Sequence, residues 1–154
     1  MASKLSAKDQ YIIIVISEFN TKITDRLLKG AVDAFSFYKG LESNMKVFRV
    51  PGAFEIPGTI EQILRNRKCN AIIALGSVIR GETPHFDIVA GESAHGISQL
   101  SRKMDIPIIN GILTTDNVDQ AMKRSKPGGR NKGWDAMETA LKTISVYRDI
   151  QIAL

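Results

Sequence analysis

The histidine at position 85 lies in a segment that suits acid–base chemistry next to an anion. It follows the residues Gly-Glu-Thr-Pro at 81–84, in which Thr83 is predicted to cap a helix and Pro84 to be its first residue. The free N–H groups of a helix start bind phosphates, and Gly81 lets the backbone approach a ligand. His85 can therefore act as a general acid and base, although an ordinary helix-start histidine is an equally good interpretation from the residues alone.

Two aromatic residues and several charged ones could complete such a site. Phe19 and Phe54 follow predicted strands, where either one alone is more typical of core packing, but the pair could sandwich a planar ring. Glu55 could bind sugar hydroxyls or simply complement a helix dipole. Arg124 lies in a cluster of basic residues, which is most often a solvated surface, but an arginine there could bind phosphate through two hydrogen bonds.

The other reactive side chains indicate no further chemistry. His95 falls within a predicted helix without a ligand-type partner, and Cys69 has no basic or metal-ligating neighbour, so we interpret them as structural and inert. Two histidines and one cysteine this far apart give no metal-site spacing. The glycine-rich residues 128–133 lack the ending of a phosphate-binding P-loop and follow no strand.

The composition restricts the class of protein. A chain of 154 residues, 44% of them hydrophobic, can bury the core of one domain, which we place at residues 10–154 behind a flexible tail of residues 1–9. Its 21 basic and 16 acidic residues give a net charge of +5 that is spread along the chain, which favours anionic small molecules over nucleic acid. One cysteine, no apolar leader and no bilayer-length apolar run predict a cytoplasmic protein outside the membrane.

Strands and helices alternate in the hydrophobic pattern. Residues 11–17 form a continuous apolar run, typical of a parallel strand buried on both faces, and the apolar face of a helix follows and stops at Gly40. The same unit repeats with strands predicted at 46–50 and 71–77, and a fourth strand at 108–114 precedes two further helices. This order predicts an α/β protein: a three-layer α/β/α sandwich with a four-stranded parallel sheet of the flavodoxin-like kind.

Ligands of open parallel sheets bind beyond the carboxyl ends of the strands. Four chemically rich segments are expected at that edge: residues 18–20, 51–55, 81–85 and 114–116. They contain most of the candidate residues named above.

Taken together, five ordered motifs resemble the lumazine synthase family across nearly the whole chain. They are Ser-Glu-Phe-Asn at 17–20, Val-Pro-Gly-Ala-Phe-Glu-Ile-Pro at 50–57, the histidine segment at 76–89, Gly-Ile-Leu-Thr-Thr at 111–115, and Gln-Ala-Met-Lys-Arg at 120–124 with Asn-Lys-Gly at 131–133. The resemblance implies a transferase of riboflavin biosynthesis that condenses a ribitylamino-uracil with a butanone phosphate. It implies no metal or organic cofactor.

The resemblance also assigns roles to residues of these motifs. His85 would be the catalytic residue that moves protons. The pyrimidine and ribityl chain would be bound by Phe19, Asn20, Ala53, Phe54, Glu55, Ser77, Val78, Ile79, Asn110 and Lys132. The phosphate would be bound by Gly81, Glu82, Thr83 and Arg124.

Three positions depart from the common family pattern. Asn110 stands where many members have an aromatic residue, contributed by the neighbouring subunit. Glu82 puts a carboxylate beside the expected phosphate site, so its side chain would have to turn to solvent. Glu18 replaces a frequent basic residue.

By the same resemblance, the chain would form a homo-oligomer. Family members form pentamers with active sites between adjacent subunits, and some pentamers pack into icosahedral shells of sixty. The N-terminal segment would then add a strand to the neighbouring subunit's sheet and cover its edge. The short connection at 125–130 permits such a shell, and the resemblance permits an association with riboflavin synthase. We expect small-molecule substrates, and neither nucleic acid nor a membrane, as partners.

Two other functions stay open on the sequence alone. The chain could be a non-catalytic binder of flavins or phosphorylated ligands, since a fold does not fix a function. It could also be a structural shell protein that has lost activity, against which the intact His85 and Arg124 argue. Formation of product from both substrates separates an enzyme from either alternative.

Overall fold

A parallel sheet forms the centre of the computed structural model, which describes residues 4–128 and 130–152. Its strands, in chain order, are β1 (Ile12–Ser17), β2 (Met45–Val50), β3 (Ala71–Ile79) and β4 (Ile108–Thr115). They lie side by side in the order β2-β1-β3-β4, and all neighbours are parallel. β1 is buried along its whole length because helices cover both faces of the sheet. The predicted α/β/α sandwich with a four-stranded parallel sheet is confirmed.

Helices form a layer on each face of the sheet. Within the described residues they are α1 (Thr21–Phe37), α2 (Ile56–Asn66), α3 (His85–Lys103), α4 (Val118–Arg124) and α5 (Lys132–Ile152). One core lies beneath α1, α4 and α5 and includes Leu27 and Phe35, and the other lies beneath α2 and α3 and includes Ile56 and Ile60. None of these helices is both long and apolar enough to cross a membrane.

The layer of α1 and α5 is closely packed where α5 begins. A Cβ atom at Gly133 would lie 1.8 Å from the carbonyl oxygen of Leu27, so only glycine fits at this crossing. The buried Asn131 accepts a hydrogen bond from the Trp134 N–H at 3.1 Å and donates one to the Ser125 carbonyl oxygen at 2.9 Å. These contacts fix the start of α5 against α1 and against the end of α4.

The end of α1 differs from the prediction. The sequence predicts a stop at Gly40, but the helix ends at Phe37 and Lys39 takes the left-handed conformation with φ 72°. Gly40 still closes the helix end, because its N–H donates to the Phe35 carbonyl oxygen at 2.8 Å.

The start of α3 also differs, by one residue. Thr83 is wrong as the capping residue and Pro84 as the first helical one: Pro84 occupies the cap position and the helix begins at His85. Pro84 is the cap because its carbonyl oxygen accepts hydrogen bonds from the N–H groups of both Asp87 and Ile88. His85 stays in the first turn, as predicted.

The described part of the N-terminal segment contacts the rest of the chain. Ala7 is fully buried, and its N–H donates to the Tyr38 carbonyl oxygen at 2.7 Å. Leu5 packs against the core beneath α1. Residues 1–3 of the predicted tail lie outside the described residues, and residues 4–11 pair with no strand of their own chain. The addition of this segment to a neighbouring subunit's sheet stays a prediction.

Candidate active site

A cleft of about 680 Å³ opens at the carboxyl ends of β1, β2 and β3. These predicted site residues line it: Phe19, Asn20, Ala53, Phe54, Glu55, Ser77, Val78, Ile79, Gly81, Thr83 and His85. The strand order explains why they converge, because β1 lies between β2 and β3 and all three strands run in the same direction. The segments that follow these strands therefore meet at one edge of the sheet.

The turn between β1 and α1 brings Phe19 and Asn20 to the cleft. Phe19 is 73% exposed, so its ring is available to a ligand, and its N–H donates to the Pro51 carbonyl oxygen at 3.2 Å. Asn20 precedes α1 in the left-handed conformation, with φ 62° and ψ 52°, and its side chain makes no capping hydrogen bond. Its Nδ2 instead donates to the Ser77 carbonyl oxygen at 2.9 Å. The amide therefore joins this turn to β3.

The connection between β2 and α2 forms the opposite wall. Its residues Ala53–Glu55 make a short 3-10 helix in which Ala53 is buried and Phe54 is 54% exposed. A Cβ atom at Gly52 would lie 3.2 Å from Oε1 of Glu55, so the carboxylate lies above this glycine. The wall therefore offers an aromatic ring and a carboxylate to the same space.

The segment between β3 and α3 forms the third wall. His85 is the first residue of α3 and its side chain is exposed to the cleft. Gly81 and Thr83 line the cleft just before it. The first N–H groups of a helix have no carbonyl partner within the helix, so this wall combines an imidazole with backbone donors suited to an anion.

Five lining residues are absent from the predicted site: Pro51, Gly52, Phe86, Ile88 and Val89. The sequence carries a signal for the last two. Ile88 and Val89 lie three and four positions after His85, and residues at that spacing share one face of a helix.

Four predicted site residues lie outside the cleft of this chain: Glu82, Asn110, Arg124 and Lys132. Asn110 lies within β4, where its Oδ1 accepts a hydrogen bond from the Ile112 N–H at 3.0 Å. Arg124 is the exposed last residue of α4, and Lys132 is the first residue of α5. Among the described residues, one chain thus brings together the aromatic rings and the imidazole without the predicted arginine.

The remaining reactive groups lie away from this cleft. Cys69 precedes β3, at the amino end of the sheet, and burial raises the pKa of its thiol from 9.0 to about 11. His95 is exposed on α3 and does not line the cleft. Across residues 4–128 and 130–152, no three His, Cys, Asp or Glu side chains are placed to hold a metal ion.

Comparison with known proteins gives one family. The chain matches the family model described as 6,7-dimethyl-8-ribityllumazine synthase over residues 9–148. It is 44% identical over 146 residues to the 6,7-dimethyl-8-ribityllumazine synthase of Chlorobium luteolum, covering 95% of this chain and 94% of that protein. It is 42% identical over 146 residues to the protein of the same name from Chloroherpeton thalassium, with 95% and 94% covered. These matches span every segment that forms the cleft.

Proposed function

This chain belongs to the 6,7-dimethyl-8-ribityllumazine synthase family, and we propose that its cleft joins 5-amino-6-(D-ribitylamino)uracil to 3,4-dihydroxy-2-butanone 4-phosphate. The product is 6,7-dimethyl-8-ribityllumazine, with release of phosphate and water, in the penultimate step of riboflavin biosynthesis. One observation carries the proposal: the cleft combines two exposed aromatic rings, Phe19 and Phe54, with the imidazole of His85 at a helix start.

The aromatic part of the cleft suits the planar substrate. Stacking of the pyrimidine on Phe19 would cover a ring that is now in contact with water. The backbone of residues 77–79 would bind the edge of the ring, in a position held by the Asn20 amide. Ala53 and the Glu55 carboxylate would contact the ribityl chain, whose hydroxyl groups donate hydrogen bonds to such an oxygen.

The start of α3 suits the phosphorylated substrate. The phosphate would lie against the backbone of Gly81 and Thr83, where the helix dipole and unpaired N–H groups favour an anion. The Glu82 side chain is exposed and does not line the cleft. Its carboxylate can therefore turn to water while the backbone next to it binds the phosphate.

His85 would transfer the protons that the condensation requires. Attack of the amine on the ketone gives a carbinolamine, and loss of water gives an imine, with a proton moved in each step. Phosphate then leaves by elimination, and the resulting enol tautomerises to a ketone. The second amine attacks this carbonyl, and loss of a second water closes the ring. Donors at the helix start and Arg124 would offset the negative charge that builds on the departing phosphate.

We propose that Arg124, Lys132 and Asn110 complete the cleft of an adjacent subunit in a pentamer. The support is their position, since Arg124 and Asn110 are exposed but lie outside the cleft of their own chain. The pentamer could pack further into a shell of sixty chains or bind riboflavin synthase. Native mass spectrometry should detect assemblies of five chains or a multiple of five, and a monomer at working concentration would contradict the shared site.

We also propose that residues 10–154 act as one domain in the cytoplasm. The single cysteine supports this location, because it cannot form an internal disulfide of the kind found in proteins of oxidising compartments.

The function is tested by product absorbance when purified protein is mixed with both substrates. Wild-type protein should form lumazine well above the uncatalysed rate. Arg124→Ala should lose most of this activity and His85→Ala only part of it. Product formation no faster than in the absence of protein would contradict the proposal and favour a binding or shell-forming role.

A further inference from the structure

We propose that Arg80 is a positioning residue for the phosphate part of the cleft. It holds the first turn of α3 and offsets two carboxylates that would otherwise repel the phosphorylated substrate. This inference rests on the proposed function, because it concerns binding of the butanone phosphate.

Arg80 contacts two separate segments at the edge of the cleft. Its Nε lies 3.0 Å from Oδ1 of Asp116, just after β4, and its Nη1 lies 3.5 Å from Oδ1 of Asp87 in the first turn of α3. Its guanidinium lies 4.5 Å from the centre of the Phe86 ring, which lines the cleft. The Arg80 N–H also donates to the Thr115 carbonyl oxygen at 2.9 Å. One side chain thus connects the end of β4 to the residues that follow His85.

These contacts indicate that Arg80 positions the start of α3 rather than stabilising the fold. The side chains of Arg80 and Asp116 are 49% and 66% exposed, and exposed ion pairs stabilise a fold only weakly. A planar guanidinium can pair with carboxylates through its edge while its face rests on an aromatic ring, which a lysine ammonium cannot do in the same geometry. Arg80 is therefore suited to hold the start of α3 in one orientation.

The charge balance gives Arg80 a second effect. Asp87 lies in the first turn of α3, next to the backbone donors proposed to bind phosphate, and Asp116 lies on the other side of Arg80. Without the guanidinium, the negative charge of both carboxylates would not be offset by Arg80. The carboxylates would then repel the anionic substrate. Loss of Arg80 should therefore weaken phosphate binding and leave the pyrimidine part of the cleft unchanged.

The test compares Arg80→Ala and Arg80→Lys with wild type and with Arg65→Ala. Arg65 is a matched control, because it forms an exposed ion pair with Glu61 on α2 at 3.9 Å and does not line the cleft. Steady-state kinetics would give kcat and a separate KM for each substrate, and inorganic phosphate would give an inhibition constant. Thermal unfolding would report stability.

Arg80→Ala should lower kcat/KM for the butanone phosphate by about tenfold to a hundredfold, as expected when a reacting group is misplaced. The inhibition constant of phosphate should rise, and the KM for the pyrimidine should stay near the wild-type value. Arg80→Lys should recover phosphate binding in part, because it restores the charge alone. Adding Asp87→Asn to Arg80→Ala should remove one of the two carboxylates. The inhibition constant of phosphate should then be lower than in Arg80→Ala alone.

Two results would overturn the assignment of Arg80 while wild-type protein is active. One is an Arg80→Ala variant that behaves like Arg65→Ala. The other is an equal rise in both KM values together with a lower unfolding temperature, which is the result of a purely structural role. Wild-type protein that forms no lumazine would instead overturn the proposed function, and the role of Arg80 with it.

Discussion

The side-chain amide of Asn20 donates a hydrogen bond of 2.9 Å to the backbone carbonyl oxygen of Ser77, and so joins the turn after β1 to the end of β3. Asn20 has φ 62°, a left-handed conformation that asparagine tolerates better than most residues. One residue thus provides both the turn geometry and the link between two cleft walls. The backbone proposed to bind the pyrimidine depends on this link.

Replacement of Asn20 should separate its two contributions to stability. Asn20→Gly keeps the left-handed backbone and loses the hydrogen bond, which should cost about 1 kcal/mol. Asn20→Ala also introduces strain at positive φ, so the total cost should be about 2–3 kcal/mol. Urea denaturation measures both values. Asn66→Ala is the control, because it removes an exposed amide hydrogen bond of 2.8 Å on α2. An equal loss of unfolding free energy in all three variants would contradict the two roles of Asn20.

Replacement of His85 should slow turnover without abolishing it. General acid–base catalysis contributes about 10²–10⁴-fold, whereas holding two reactants together can supply about 7–11 kcal/mol that does not depend on the imidazole. We expect His85→Ala to lower kcat by about 100-fold, the lower end of this range. His95→Ala serves as the control, since it changes an exposed histidine of the same helix outside the cleft. Equal activity of the two variants would remove His85 from the mechanism.

A methyl group at Gly133 should strongly destabilise the protein. The added Cβ would lie 1.8 Å from the Leu27 carbonyl oxygen, and this backbone atom cannot move without shifting α1. Gly133→Ala should lower the free energy of unfolding by about 3 kcal/mol or more. At Gly58 on α2 nothing lies within 4 Å of an added Cβ, so Gly58→Ala should be neutral or stabilising by up to about 1 kcal/mol. Similar unfolding midpoints for the two variants would contradict the packing described for α1 and α5.

The Cys69 thiol should react slowly in the folded protein. Burial raises its pKa from 9.0 to about 11, and only the thiolate is nucleophilic. At pH 8 its thiolate fraction should be about 100-fold lower than that of a thiol with the ordinary value. Ellman's reagent should therefore modify native protein much more slowly than protein unfolded in guanidinium, and the native rate should increase towards pH 11. Equal rates in native and unfolded protein at pH 8 would show that the thiol is not shielded.

The strands, and the burial of β1 on both faces, could be predicted from the sequence. Residues 12–16 are all apolar because both faces of β1 are covered, and a continuous apolar run is what such a strand requires. The apolar positions Ile56, Ile60 and Ile63 repeat at helical spacing because α2 buries one face. These signals are local, so residue pattern alone sufficed to predict the elements.

Features that depend on contacts between residues far apart in the sequence could not be predicted in this way. Arg80 is separated from Asp116 by 36 positions, and only the pairing of β3 with β4 brings the two side chains together. The cap of α3 is Pro84 rather than the predicted Thr83, because the Pro84 carbonyl oxygen accepts the hydrogen bonds from the N–H groups of Asp87 and Ile88. A single sequence likewise does not reveal that Arg124 lies outside the cleft of its own chain, since this follows from where α4 packs.

We propose that each active site contains His85 of one subunit and Arg124 of the next. The measurement is lumazine formation by co-assembled His85→Ala and Arg124→Ala chains, compared with the two variants assembled separately. In a ring with sites between neighbours, random mixing should restore both residues in about one quarter of the sites, so the mixture should exceed the mean of the two variants. Activity of the mixture equal to that mean would contradict the shared site.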